Sequence, residues 1–316
     1  MSTDDRTIYQ DMTLDQKKKI IKDLKIIHPN FSKALKSIQK CHESLELSDD
    51  PQCMLISGPS GSGKTTIFDT YVKLNDKVEY DEKTGAKKSI LWAEIPSPIR
   101  ISTFLETMLE RLGDPFPTRG NIGNKNHRLV NLIKDCGIEL IMLDEFQHFV
   151  HPENQTINYD VADCFKSLVN RTKVPVVLFG LEDSVKVINA NQQLNRRFSM
   201  RTSLAPFGIE NNERKKEFQK LLTLIDTKLP FTEIADLGSD EMVEKIHFAT
   251  DGFINSVMKI IREAAFSAVE KNKNSIELID FAKAYHIHSH ILKGADKNPF
   301  LGSGNGSKVT ITNVAN

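Results

Sequence analysis

The chain has 316 residues with 42 Lys+Arg against 42 Asp+Glu, so its formal net charge is zero and nucleic-acid binding by bulk positive charge is excluded; any such binding must come from a local stripe. At 39% hydrophobic and 27% charged residues, the composition is that of a globular protein long enough for two or three domains. No apolar run approaches the roughly 18 residues a membrane span requires, and Met1 to Arg6 lack the apolar stretch that opens a secretory signal.

The first fifty residues read as an N-terminal helical extension, 1–50. Thr13 is placed to cap a helix, Gln16 follows three residues on, and Ile20, Ile21, Leu24 and Ile27 recur at helical spacing. Pro29 interrupts, and Phe31, Leu35 and Ile38 continue on a second helix. After the polar break Ser48 to Pro51, buried strands are predicted at 53–56, 90–93, 140–143 and 174–179, with a last one over 202–205. Helical patterns lie between them at 65–74, 101–112, 128–134 and 161–170. This alternation predicts an α/β core over 51–205, with a parallel sheet covered on both faces. Beyond Pro206 only helical periodicity remains, over 210–229, 240–250, 255–271 and from Ser275 to His290, which predicts an all-helical lid domain at 206–290. From Leu292 the chain turns rich in Gly, Ser, Asn and Lys, and 291–316 reads as a flexible tail. Four cysteines, Cys41, Cys53, Cys136 and Cys164, form no CxxC pair, which fits reduced thiols in a cytosolic protein.

Gly58-Pro59-Ser60-Gly61-Ser62-Gly63-Lys64-Thr65 is a complete G-x-x-x-x-G-K-T loop between a predicted strand and a predicted helix. Glycines let the backbone wrap close to phosphates with its N–H groups pointing inward, and the helix N-terminus adds positive potential. Gly58 to Thr66 are therefore the expected ATP-binding residues. Lys64 would reach the β- and γ-phosphates, and the Thr65 hydroxyl would ligate Mg²⁺. Leu140-Ile141-Met142-Leu143-Asp144-Glu145 is an apolar strand ending in two carboxylates. Asp144 is expected to hold the water shell of the Mg²⁺, and Glu145 to polarise an attacking water.

The order of a helix pair, GPSGSGKT, a strand near Trp92, CGIELIMLDEFQH, VPVVLFG and then QQLNRRF resembles the TniB/TnsC family of AAA+ transposition regulators, relatives of the phage protein MuB. The resemblance spans about residues 15–290, and its specific parts are the runs 144–148 and 193–198. It implies an AAA+ P-loop fold with a helical lid and a slow, assembly-dependent ATPase. It also implies that Arg197, or failing that Arg196, reaches a neighbouring subunit's ATP as a catalytic arginine; the alternative is a solvated pair at a helix end. Two departures favour slow turnover. Leu181, with Glu182 and Ser184 further on, stands where many relatives carry a polar sensor, and Asn255 replaces the arginine of a G-x-x-R pattern, with Arg262 a weak substitute.

The same resemblance implies a homo-oligomer, a ring of about six or seven subunits or a filament, around double-stranded DNA. Candidate backbone contacts are Arg100, Thr103, Arg119, Asn121, Lys125 and Arg128, with Thr118 to Asn121 as the pore loop and little sequence preference. Partners would be a TniQ-type adaptor and a TnsA/TnsB-type transposase, as in CRISPR-associated transposons, with no membrane, in the cytoplasm of a bacterium. Two other readings stay open: a helicase loader or replication initiator, and a signalling NTPase that never touches DNA.

Overall fold

The computed structural model describes residues 3–47, 51–81, 85–95, 97, 100–149, 159–190, 192–288 and 298–301. The chain divides into two compact units, Ile27–Pro206 and a second made of Met1–Ile26 with Phe207–Asn316. Helix α1 (Leu14–Asp23) therefore belongs with the C-terminal helices, and α2 (Pro29–Leu47) with the central part of the chain. The expected capping box is present, Gln16 N–H donating to Thr13 Oγ1 and Thr13 N–H to Gln16 Oε1.

The Ile27–Pro206 unit is built on a five-stranded parallel sheet. Its members in chain order are β1 (Met54–Ser57), β4 (Ile90–Glu94), β5 (Leu140–Asp144), β6 (Val176–Gly180) and β7 (Met200–Ser203), laid out in space as β4-β5-β6-β1-β7. Between β1 and β4 lie α3 (Lys64–Asn75) and an antiparallel pair, β2 (Val78–Asp81) with β3 (Gly85–Lys88). The crossovers supply α4 (Ile101–Arg111) and α5 (Ile122–Asp135) before β5, α6 (Tyr159–Thr172) before β6, and α7 (Asp183–Ala190) with α8 (Gln192–Arg197) before β7. Strand alternation divides the core into two layers. Met54, Ile56, Leu140 and Met142 face Phe31, Ile38, Phe68 and Tyr71 of α2 and α3, while Leu55, Ile141, Leu143 and Leu178 face Phe104, Leu129, Phe165 and Phe198. Burial on both faces is why these strands read as unbroken apolar runs.

The second unit packs α1 with α9 (Asn212–Lys228), α10 (Asp240–Thr250), α11 (Ile254–Glu270) and α12 (Leu278–His288). Ile21, Phe218, Leu222, Ile246, Ile261 and Phe281 meet in its core. Arg6 is buried there and donates to the carbonyls of Asp226, Leu229 and Phe231, beyond or within the last turn of α9. Residues 1–50 are thus not one extension. Ile21, Leu24 and Ile26 bury against the helical core, whereas Phe31, Ala34 and Ile38 bury against the sheet. Of the expected flexible tail, 298–301 is docked: Phe300 stacks on Phe281 at 5.2 Å, and Asn298 Nδ2 donates to the Ala282 carbonyl. The rest of 291–316 lies outside the described residues.

Candidate nucleotide site

The loop leaves the C-terminal end of β1, and α3 begins at Lys64. Gly63 is the residue before the helix at φ 93°, and Gly61 sits at φ 80°, a left-handed conformation side chains resist. Gly58 is required for a different reason. A Cβ there would stand 2.5 Å from the Leu204 carbonyl oxygen, because β7 hydrogen-bonds onward to this strand through Leu204 N–H and the Ser57 carbonyl. Its own N–H donates to Gly180 at the tip of β6, so the loop is tied to strands on both sides.

Lys64 is buried and donates from Nζ to the Gly58 carbonyl at 2.8 Å and the Pro59 carbonyl at 3.0 Å. Burial pulls its pKa down, opposed by the charges of Asp144 and Glu145. Across the site the Thr65 hydroxyl donates to Asp144 Oδ2 at 3.0 Å, and Glu145 N–H donates to Asp144 Oδ1 at 2.8 Å. Burial raises the Asp144 pKa, against the two hydrogen bonds that favour the carboxylate. Two hard oxygen donors converge here, the donor set that suits a divalent cation accompanying phosphates. The Ser62 hydroxyl oxygen is buried inside the loop with no partner among the described residues, an orphaned polar atom that an anionic oxygen would satisfy. Ser60 and Thr66 are exposed beside it.

Glu145 follows Asp144 at φ 61°, a backbone conformation that costs a residue with a Cβ about 1–2 kcal/mol. Its carboxylate accepts a hydrogen bond from Gln147 Nε2. Gln147 was not among the expected site residues, although it stands in the run that carries the family resemblance. His148 donates from Nδ1 to the Ile95 carbonyl at 2.6 Å, and its Nε2 lies 4.0 Å from Glu145 Oε2. Beyond β6 the Ser184 hydroxyl is fully buried with no partner among the described residues, against the Cα of Gly180.

The arginine pair ends α8, held by buried Leu194 and Phe198. Arg197 donates to the Asn170 side chain, and its carbonyl accepts from Cys53 N–H ahead of β1. Arg196 is exposed. In the helical unit Arg262 donates to the Leu24 carbonyl at 2.6 Å, which ties α11 to the N-terminal segment, while Asn255 is exposed in the first turn of α11.

The candidate DNA residues divide. Arg100 and Arg119 are exposed, and the Arg119 guanidinium lies over the Phe116 ring at 6.0 Å. Thr103 is half-buried within α4. Asn121 caps α5, its side chain accepting from Asn124 N–H at 2.9 Å. Lys125 is 4% exposed, and its ammonium is held by Glu106 and Ser102 of α4. As a phosphate contact it is corrected: a buried, ion-paired ammonium fixes α5 to α4 and does not face solvent. Arg128 is likewise engaged, by Asp114 and by the carbonyls of Phe116 and Arg119.

A family model described as the bacterial TniB protein matches residues 17–206. Among solved structures, the chain resembles Cdc6p from Pyrobaculum aerophilum with a TM-score of 0.60 at 15% identity, over 87% of this chain and 71% of that one. It is similarly close to the Aeropyrum pernix ORC1 protein, solved in complex with DNA, with a TM-score of 0.60 at 13% identity over 87% of this chain and 69% of that one. These likenesses concern the fold, which is that of AAA+ P-loop proteins. Mouse origin recognition complex subunit 4 is 22% identical over 236 residues, 72% of this chain. The chain spans about half the length of that curated relative, 51%. No helix among the described residues is long and apolar enough to cross a membrane.

Proposed function

Because the chain belongs to the TniB family, we propose that it is a slow, assembly-dependent ATPase that binds ATP with Mg²⁺, forms a ring or filament on double-stranded DNA, and regulates transposition. In this reading it links a TniQ-type adaptor, or a CRISPR effector acting through one, to a TnsA/TnsB-type transposase in the bacterial cytoplasm. The observation that carries the nucleotide half is the Thr65–Asp144 hydrogen bond at 3.0 Å, which joins the end of the phosphate loop to the acidic strand tip beside Glu145.

The residues have the following roles. Main-chain N–H groups between Ser60 and Thr65, at the start of α3, cradle the phosphates, with Ser62 adding a hydroxyl and Thr66 lying in the first turn. Lys64 moves from the loop carbonyls to the β- and γ-phosphate oxygens, whose charge repays its desolvation better than neutral carbonyls do. Thr65 and Asp144 are the residues that would hold the cation, which neutralises developing charge on the phosphates when bound. Glu145 accepts a hydrogen bond from water and aims its oxygen at the γ-phosphorus. As the new P–O bond forms, the bond to the β-phosphate oxygen breaks, ADP leaves with that electron pair, and the water proton passes to the carboxylate or a phosphate oxygen. Arg197 and Arg196 would stabilise the charge on a neighbouring subunit's γ-phosphate, so hydrolysis requires assembly. Arg100, Arg119 and Asn121 are the remaining candidates for weak phosphate contacts, which repetition around an oligomer adds up to useful avidity.

Microscopy of the protein with duplex DNA and ATP, a non-hydrolysable analogue or no nucleotide tests this reading. Rings or filaments on DNA only with the triphosphate are expected, and assembly indifferent to DNA would favour a signalling NTPase. The likeness to Cdc6p and ORC1 supports a second reading, an initiator or helicase loader. Co-purification with a replicative helicase and no transposase would select it.

A further inference from the structure

Between β5 and α6 the chain makes a short 3-10 turn, Phe146–Phe149. Phe146 and Phe149 are buried, with Phe149 edge-on to Phe104 at 5.2 Å and to Phe165 at 5.4 Å, so this turn is bolted to the core. Its two middle residues reach the tips of the strands on either side of β5. His148 donates to Ile95 just past β4, and the Gln147 Oε1 accepts from Leu181 N–H just past β6 at 3.1 Å. A main-chain N–H can only donate and a carboxylate can only accept, so the Gln147 amide has one orientation: oxygen toward Leu181, nitrogen toward Glu145.

We propose that Gln147 is the positioning residue of the hydrolytic step. It holds Glu145 by Oε2, leaves the other carboxylate oxygen for water, and makes the main chain at Leu181 serve where this chain offers no polar side chain. The proposal rests on Glu145 being the carboxylate that aligns water. Its particular content is the residue type. Only a side chain that donates at one end and accepts at the other bridges these two groups, and an amide of this length does both. A displacement at the tip of β6 is thereby passed to the carboxylate through two hydrogen bonds. The backbone of Glu145 is itself tied at both ends, its N–H donating to Asp144 Oδ1 and its carbonyl accepting from His148 N–H.

The test is steady-state ATP turnover of the full chain on duplex DNA for wild type, Glu145→Gln, Gln147→Ala, Gln147→Glu and the Glu145→Gln/Gln147→Ala double variant, beside binding of a fluorescent ATP analogue and a melting curve. Gln147→Ala should lower kcat at least about tenfold while KM and analogue affinity stay within about twofold. Gln147→Glu keeps size and shape but cannot donate, and should lose at least as much. The double variant should be no slower than Glu145→Gln alone, because both changes act through one carboxylate. Wild-type turnover in Gln147→Ala, with Glu145→Gln impaired, overturns the Gln147 proposal alone, as does a full additional loss in the double variant. A loss in Gln147→Ala that Gln147→Glu does not share marks a packing role and also overturns it. Wild-type turnover in Glu145→Gln removes the role of Glu145 and the proposal together.

Discussion

Two stretches of the sheet unit were both expected to meet phosphate, and they are built in opposite ways. The loop from Gly58 to Thr65 is shaped by backbone: positive φ at Gly61 and Gly63, a close approach at Gly58, and a helix start at Lys64. The segment from Arg100 to Arg128 would act through its side chains, and two of its four candidate cations serve the fold. Buried Lys125 pairs with half-buried Glu106, and Arg128 braces the 114–119 loop, while Arg100 and Arg119 remain exposed. A backbone cradle needs particular residues at fixed spacing, so it is legible in one sequence. A cation on a helix has the same letter whether it pairs inward or faces a ligand.

This contrast can be broken most severely at Lys64. Lys64→Ala should weaken nucleotide binding more than about a hundredfold, since it removes a charge-assisted contact from an otherwise intact cradle. A fluorescent-nucleotide titration showing near wild-type affinity would contradict the assignment. The next largest effect separates the two cation roles. Lys125→Ala should cost about 2 kcal/mol of folding stability, by removing the buried stem and the ion pair that hold α5 to α4, and should lower the denaturant midpoint. DNA affinity of the folded fraction should hardly change.

The same pair gives a pH signature. The hydrogen bond from Lys125, then that from Ser102, holds the Glu106 carboxyl below its usual pKa, so below that value the unfolded chain binds the extra proton. Stability contributed by this pair is therefore present above the ordinary carboxylate range and falls away as pH drops through it; Lys125→Met should flatten that acid limb. Replacing the Asn121 cap with Ala should cost about 1 kcal/mol, read by denaturant titration. Smallest in stability is Arg119→Ala, within about 0.5 kcal/mol of wild type. Its expected effect is a shallower salt dependence of DNA binding; an unchanged slope would remove Arg119 from the interface.

The legible parts were those with local grammar. The phosphate loop, the strand ending in Asp144-Glu145 and the Thr13–Gln16 capping box each declare themselves within eight residues. The β2–β3 pair escaped because 78–88 is dense in charge and its alternation, Val78-Glu79-Tyr80-Asp81, lasts only four residues. Helix α5 was expected only from Arg128, since the polar run before it hides a helix that Asn121 starts. Gln147 was invisible because its meaning lies in Leu181, 34 residues on, and no spacing rule connects them. The apolar stripe of α1 showed that it must pack but not against what; Ile21 could have met the sheet and instead meets α11 and its neighbours.

That last choice has a temporal side. Arg6 and Ile21 belong to a unit whose remaining helices begin only after Pro206, so the Ile27–Pro206 unit is an insertion within it. During synthesis at about 5–20 residues per second, α1 emerges roughly ten to forty seconds before the helices that bury it. The inserted unit is contiguous and can fold as it emerges, while the helical unit must wait for both of its ends. Translation thus sets an order of maturation, with the nucleotide-binding half ready first and the nascent N-terminal helix needing shelter until its partners arrive.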